Sequence, residues 1–173
     1  MGSHTISRAA DTRAVLDSVR RIVRALHESS RAAEKQVGVT GAQLFVLQKL
    51  AETPGISVNE LAERTHTHQS SVSVVVSRLA ALDLVTRTRS ASDGRRVELS
   101  LAPRARRVVG RAPDVAQERL IRGIERLQPA RRHELAVVLG DLATAMQADA
   151  KPPRMFFEER TAARPARRRA ARG

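Results

Sequence analysis

The chain lacks cysteine, tryptophan and tyrosine, and it has three phenylalanines among 173 residues. Without cysteine it can form neither a disulfide nor a thiolate metal site, and thiol-based redox sensing is excluded. With so few aromatic rings, the core must be built from leucine, valine, isoleucine and alanine. A chain of this length supports one ordinary core, so we expect a single domain with a short extension.

Long apolar runs and catalytic motifs are also missing. No run approaches the roughly 18 apolar residues of a membrane span, and no signal peptide is recognisable, so we expect a cytoplasmic protein. There is no glycine-rich phosphate loop, no G-x-S-x-G elbow and no convincing serine, histidine and aspartate arrangement. We therefore predict neither enzyme activity nor a cofactor. His66 and His68 form an H-x-H pattern, but no cysteine or carboxylate spacing supports zinc, so we predict no metal site.

Acidic residues are scarce, with 18 against 31 basic residues and a net charge of +13. Residues 151–173 hold one lysine and seven arginines against two glutamates, a net of +6, which leaves +7 for residues 1–150. A polyanionic partner is expected. Nucleic acid is favoured over an anionic membrane because no basic amphipathic helix carries a bulky aromatic face.

Residues 56–101 carry the most specific pattern. The capping-box pattern S-x-x-E at Ser57 and Glu60 predicts a helix that begins near Val58. A second helix is predicted from Gln69, and its buried face consists of residues at three- and four-residue spacing, namely Val72, Val75, Val76, Leu79 and Leu82. The opposite face is small, polar and free of acid, which suits a helix that enters a major groove of about 12 Å. The expected DNA contacts on this face are His68, Gln69, Ser70, Ser71, Ser73, Val74, Ser77 and Arg78. For the serines and Arg78, base edges and phosphates both remain open as partners.

A β-hairpin is predicted after this helix, because the apolar period changes to two between residues 84 and 101. Val85, Val97, Leu99 and Leu101 point one way, and Thr86, Thr88, Arg96, Glu98 and Ser100 point the other. Gly94 lies at the hairpin tip, where it can adopt a backbone geometry closed to most residues. We expect Arg95 to enter a minor groove, with Asp93 holding its guanidinium in a fixed direction. Arg96 is included among the DNA contacts, and for Arg87 and Arg89 phosphate contact and a solvated edge strand are equally open.

Helical periodicity also predicts helices on both sides of this motif. Four are expected: one from Ala10 to about Glu34, one over residues 42–52 behind a capping box at Thr40 and Gln43, one from Pro103 with a break near residues 110–113, and one after Pro129. Phe45 is favoured as a core residue over a ligand-pocket residue. Met155, Phe156 and Phe157 form an apolar cluster that we expect to dock on the body or on a partner subunit. The arginine-rich residues 160–173 either follow DNA phosphates or remain solvated.

This order of elements resembles the MarR family of bacterial transcriptional regulators, over about residues 10–148. The most specific segments are NELAERT (59–65), SSVSVVVSRLAALDLV (70–85) and DGRRVELSLAPRARRV (93–108). The resemblance implies an obligate homodimer that binds a palindromic operator, usually as a repressor released by a small ligand or by oxidation. It also implies an effector crevice between the dimer region and the winged domain, for which Arg24, His27, Arg31 and Phe45 are the candidates, chiefly toward an anionic ligand. The chain departs from the family at Val74, where Arg or Lys is common, and at Ala102, where the usual Thr cap is worth about 1 kcal/mol.

These observations predict a mainly α (α+β) fold with a two-stranded β-wing. Residues 37–101 would form the winged helix-turn-helix domain, residues 8–36 and 102–148 the helical dimerisation region, and residues 149–173 a basic extension. The predicted function is sequence-specific regulation of transcription by a homodimer on double-stranded DNA, with a small-molecule effector and a location at the nucleoid. The alternative is a nucleoid-type architectural protein that binds DNA with little sequence preference.

Overall fold

The computed structural model describes residues 8–90, 94–147 and 153–158. Over these ranges the fold is mainly helical with one antiparallel two-stranded sheet, as predicted. The helices are α1 (Arg8–Val37), α2 (Gly41–Glu52), α3 (Val58–Arg64), α4 (Gln69–Ala81), α5 (Pro103–Gly110), α6 (Ala116–Glu125) and α7 (Pro129–Ala145), and the strands are β1 (Val85–Arg89) and β2 (Val97–Leu101). Helix α1 extends three residues beyond the predicted end at Glu34.

Both predicted capping boxes are confirmed. At α2, the Gln43 N–H donates to Thr40 Oγ1 at 3.2 Å, and the Thr40 N–H donates to Gln43 Oε1 at 2.9 Å. At α3, the Glu60 N–H donates to Ser57 Oγ at 3.3 Å, and the Ser57 N–H donates to Glu60 Oε2 at 2.7 Å. Each box satisfies backbone donors that a helix start leaves unpaired, so local sequence alone fixes where these two helices begin.

The core lies around α2, which runs behind the helix-turn-helix. Phe45 is fully buried there, which agrees with its interpretation as a core residue. Apart from Phe45 and Thr65, the largest fully buried side chains are aliphatic, and they include Leu44, Leu47, Leu50, Leu61, Leu79 and Leu99. The wing joins this core because the Leu99 N–H donates to the Ile56 carbonyl at 2.8 Å and the Gly55 N–H donates to the Leu99 carbonyl at 2.9 Å. Gly55 makes this turn at φ +79°, a conformation that favours glycine.

Two adjacent serines on α1 connect it to the starts of two other helices. Ser30 Oγ accepts a hydrogen bond from the Gly41 N–H of α2 at 3.1 Å, and Ser29 Oγ accepts one from the Ala116 N–H of α6 at 2.9 Å. The contact at Gly41 is close, since a Cβ there would lie 3.1 Å from Ser30 Cβ. One turn of α1 therefore orients both α2 and α6.

The predicted break after α5 is confirmed at residues 111–115, between the end of α5 and the start of α6. Pro113 lies in this break, where its missing N–H costs no helical hydrogen bond. Its carbonyl accepts a hydrogen bond from Gln48 Nε2 at 3.4 Å. The chain can therefore turn from the wing toward α6 without straining a helix.

Two local expectations, those for Leu82 and Gly94, were wrong. Leu82 is 46% exposed because it lies at the C-cap of α4, where Asp83 at φ +56° turns the chain away from the core. Val97 shares a face of the hairpin with Leu99 and Leu101, as predicted, but it is 43% exposed because it pairs with Arg89 next to the hairpin tip. Gly94 does not use a left-handed conformation, so its freedom is not needed at the tip.

An apolar face covers one side of α1 and α7 and lies open to solvent. No residue of α7 is buried, although the helix carries many large apolar side chains. The exposed members of this apolar face are Val15, Leu16, Val19, Ile22, Val23, Leu135, Val138, Leu139, Leu142 and Met146. None of the described helices is long and apolar enough to cross a membrane.

Candidate nucleic-acid interface

The turn between α3 and α4 is held by its own backbone and threonine side chains. Thr65 is buried, and its Oγ1 donates to the Leu61 carbonyl at 2.9 Å. His66 adopts φ +49°, and the Thr67 N–H then reaches back to the Ala62 carbonyl at 3.0 Å. This closure sets the angle at which α4 leaves α3.

Helix α4 turns most of its predicted polar face outward. His68, Gln69, Ser70, Val74 and Ser77 are exposed, and Ser73 and Arg78 are half-buried. His68 is the N-cap but its side chain makes no capping hydrogen bond. No acidic residue occurs in α4, so the outward face carries nothing that would repel phosphate. The inward face has buried Val72, Val75, Val76 and Leu79, as the spacing predicted.

Ser71 is a correction to the predicted outward set. It is buried at 7% exposure, and its Oγ donates to the Pro153 carbonyl at 3.0 Å. Arg78 also pairs with a residue that is distant in the sequence, since its Nη1 lies 3.4 Å from Glu158 Oε1. Residues 153–158 cover this flank of α4, and for that reason Ser71 cannot face a DNA groove.

The wing flanks α4 on its other side. Arg87 Nη2 donates to Ser77 Oγ at 2.9 Å, and Arg89 is exposed further along β1. The Ser90 N–H donates to the Arg96 carbonyl at 2.9 Å and closes the hairpin below the tip. Arg95 is exposed at the tip, as predicted. The predicted partner Asp93 lies outside the described residues, as do residues 160–173.

Arg96 has an intramolecular partner that the sequence pattern did not indicate. Its Nη2 lies 3.0 Å from Glu60 Oε1 and 2.7 Å from Glu60 Oε2, so the wing is tied to the capping box of α3. Hydrogen bonds from the backbone and side chain of Ser57, and then the charge of Arg96, lower the pKa of Glu60 below its ordinary value of 4.5. The carboxylate therefore stays ionised and holds the wing beside the helix-turn-helix.

A large apolar cavity lies between α1, α6, α7 and the turn before α4. Its volume is about 840 Å³, and its apolar walls include Val19, Ile22, Leu120, Ile121, Ile124, Leu135, Leu139, Met155 and Phe156. The polar side chains of His66, His68 and Arg154 also line it.

The four candidate ligand residues lie elsewhere. Arg24, His27 and Arg31 are exposed on α1, Phe45 is in the core, and none of them lines the cavity. The His27 ring instead packs against Phe157 with ring centroids 4.4 Å apart. Among the described residues no group of three histidine, cysteine or acidic side chains could hold a metal ion.

A short helix, a four-residue turn, an acid-poor second helix and a hairpin with an arginine at its tip define a winged helix-turn-helix DNA-binding protein. Residues 37–96 match the model of the MarR family, which spans the helix-turn-helix and the wing up to Arg96. This part of the chain is therefore similar to the winged helix-turn-helix region of the MarR-family DNA-binding transcriptional regulators.

Known transcriptional repressors are similar to the chain over this region and beyond it. The chain is 42% identical to the HTH-type transcriptional repressor MdtR of Bacillus subtilis over 74 residues, which are 43% of this chain and 47% of MdtR, so the match spans about half of that relative. It is 27% identical over 124 residues to the HTH-type transcriptional repressor Rv2887 of Mycobacterium tuberculosis, covering 72% of this chain and 89% of the relative. The solved structure of BpsR from Bordetella bronchiseptica shares the fold, with a TM-score of 0.52 and 22% identity over 83% of this chain and 98% of BpsR.

Proposed function

We propose that the protein is a homodimeric repressor that binds a palindromic operator, with α4 in the major groove and Arg95 of the wing in the adjacent minor groove. The observation that carries this proposal is the outward face of α4, which is polar, free of acid and flanked by an arginine-bearing hairpin. Small side chains let a helix approach base edges closely, and the tip arginine suits the negative potential of a narrow minor groove. Val74 is exposed on this face, and we expect it to contact a thymine methyl group.

The apolar face supports the dimer. A helix normally buries its apolar stripe against its own domain, yet α7 buries none of its residues within this chain. A second copy would supply the missing contact for α7 and for the first turns of α1, and a two-fold axis would present both α4 helices to one side of a duplex. Such a dimer binds half-sites one helical turn apart, about 10 base pairs.

The experiment is selection of bound fragments from genomic DNA, followed by binding measurements on the recovered site. We expect a palindromic consensus and an affinity that survives a large excess of random DNA, since base contacts distinguish sites while phosphate contacts do not. Loss of binding under that competition would instead support a nucleoid-type architectural protein. A consensus without two-fold symmetry would contradict the dimeric arrangement.

We also propose that the cavity of about 840 Å³ is the effector site. Its walls are mostly aliphatic, and the imidazoles of His66 and His68 and the guanidinium of Arg154 add cationic or hydrogen-bonding groups. This combination suits an apolar ring that carries one acidic group. The DNA binding of BpsR, which shares the fold, is regulated by 6-hydroxynicotinic acid, a heteroaromatic ring that carries one carboxylic acid.

A thermal-shift assay tests the effector proposal. We expect 6-hydroxynicotinic acid or another aromatic carboxylate to raise the Tm at millimolar concentration, because a ligand that binds the folded state stabilises it. Arg154→Gln is expected to reduce the shift given by the carboxylate but not the shift given by its neutral amide. Equal Tm shifts from both compounds in wild type and variant would show that Arg154 does not bind the carboxylate. The absence of a Tm shift with any compound would refute the proposal that the cavity is an effector site.

A further inference from the structure

Residues 153–158, here called the C-terminal segment, lie against the winged domain rather than away from it. Met155 is 4% exposed and belongs to the main hydrophobic core. The Phe157 ring packs against His27 of α1, and the Pro153 carbonyl accepts the hydrogen bond of Ser71. The segment is therefore anchored at three of its six residues, and Glu158 follows directly after these anchors.

The segment reaches the DNA-binding helix along one flank. Ser71 and Arg78 are seven residues apart, so they lie two turns apart on the same side of α4. Both contact the segment, Ser71 through Pro153 and Arg78 through Glu158. The wing contacts α4 through the hydrogen bond of Arg87 to Ser77, which lies about 100° around the helix axis from Arg78. The outward face of α4 is thus contacted by both the wing and the C-terminal segment.

Glu158 is unusually buried for a carboxylate beside an exposed helix face. Its side chain is 5% exposed, while that of Arg78 is 35% exposed. Glu158 Oε2 is buried without a hydrogen-bond partner among the described residues. A buried carboxylate is costly unless a cation is held against it, so the pair restrains Arg78 on the protein side. A guanidinium has five N–H donors and can hold a carboxylate and a phosphate oxygen together.

We propose that Glu158 is a positioning residue for DNA binding. It fixes the direction of the Arg78 guanidinium before DNA is present, so that Arg78 loses little further side-chain freedom when it contacts the DNA backbone beside the major groove. This inference rests on the proposed DNA-binding role of α4. It assigns a function to a part of the chain that follows α7 and lies outside the residues that match the MarR family model.

The test substitutes Glu158, because a positioning role and a simple charge effect predict opposite changes in DNA affinity. Glu158→Gln removes a negative charge close to the DNA face, and the change in charge alone strengthens binding to phosphates. If Glu158 positions Arg78, the same substitution weakens binding to the selected operator, by a factor of about 3 to 10 for the loss of one paired contact. The matched control is Asp83→Asn, which removes one negative charge just after the C-terminal end of α4 and keeps a residue type that tolerates the left-handed backbone there. We expect Asp83→Asn to bind as tightly as wild type or more tightly.

A double-mutant cycle then shows whether Glu158 acts through Arg78. In an Arg78→Ala background, Glu158→Gln is expected to have no weakening effect, and circular dichroism and Tm confirm that each variant folds. Binding by Glu158→Gln as tight as wild type or tighter overturns the inference, as does equal weakening with and without Arg78. Absence of specific binding by the wild-type chain would instead overturn the proposed function, so the two failures are distinguishable.

Discussion

Replacing Leu139 with aspartate tests the dimer most directly. Leu139 lies in the middle of the stripe that α7 presents to solvent, at the edge of the apolar cavity that it also lines, and it is 50% exposed within one subunit. The proposed dimer buries this exposed half in both copies. Leu139→Asp removes the free energy gained by this burial in both subunits, and it places two carboxylates in an apolar interface.

The expected magnitude follows from the exposed fraction. Full burial of a leucine is worth about 1.5–3 kcal/mol, so the half that remains exposed is worth about 1 kcal/mol per subunit and about 2 kcal/mol per dimer. Each unpaired buried carboxylate adds a penalty of several kcal/mol. The total exceeds about 4 kcal/mol, which raises the dimer Kd by about 1,000-fold or more.

Val137→Asp is the matched control. Val137 is 48% exposed on the same helix, but two residues of helix place it about 200° around the axis from Leu139. Light scattering after size-exclusion chromatography is expected to show a monomer for Leu139→Asp and a dimer for Val137→Asp at micromolar concentration. The affinity of Leu139→Asp for the operator should fall together with its tendency to dimerise. A dimeric Leu139→Asp variant, or an equal effect of both substitutions, would refute the assignment of this face.

Three further predictions concern the wing, the capping box and the core. Arg95→Ala should weaken operator binding in a gel shift by about tenfold or more without changing the circular dichroism spectrum, and an unchanged affinity would count against the wing assignment. Glu60→Gln keeps the capping box but loses the charge pairing with Arg96. Because the pKa of Glu60 is lowered in the folded state, its contribution is fully present above the ordinary value of 4.5 and is lost as pH falls through the lowered value. Urea denaturation should therefore show a deficit for Glu60→Gln at pH 7 that disappears in acid, and a deficit independent of pH would contradict this account. Phe45→Ala should lower the free energy of unfolding by about 3–5 kcal/mol at fixed protein concentration. Phe156→Ala is the control and should cost far less, because Phe156 is 50% exposed. Similar losses for the two variants would show that the burial of Phe45 does not account for its effect on stability.

Local patterns were sufficient to predict the helix starts and the buried face of α4. The capping boxes at Thr40 and Ser57 act within four residues, and the valines of α4 repeat at helical spacing, so each signal lies in one short stretch of sequence. The break at Pro113 was predictable for the same reason. These features depend on interactions between residues that are close in the sequence. Because they place α4, they also define most of the proposed DNA-binding surface.

Contacts between distant segments were not predictable. Ser71 stands among exposed serines, and only the docking of Pro153, 82 residues away, buries it. The pairing of Arg96 with Glu60 likewise joins residues 36 apart. The cluster at residues 155–157 did signal that this segment docks, and Met155 confirms it, but composition gave no indication of which surface would receive it. For the same reason the cavity was not predictable, since three helices, a turn and the C-terminal segment assemble it, and the arginines chosen on α1 do not line it.

The pair Ser29 and Ser30 has a consequence for which operators can be bound. One hydroxyl holds the first helix of the winged domain and its neighbour holds α6, so the angle between the two regions is set within a single helical turn. In a two-fold assembly that angle determines how far apart the paired recognition helices stand. A change of side-chain size at this corner, such as a methyl group at Gly41, would therefore alter the preferred number of base pairs between half-sites while leaving every DNA-contacting residue in place.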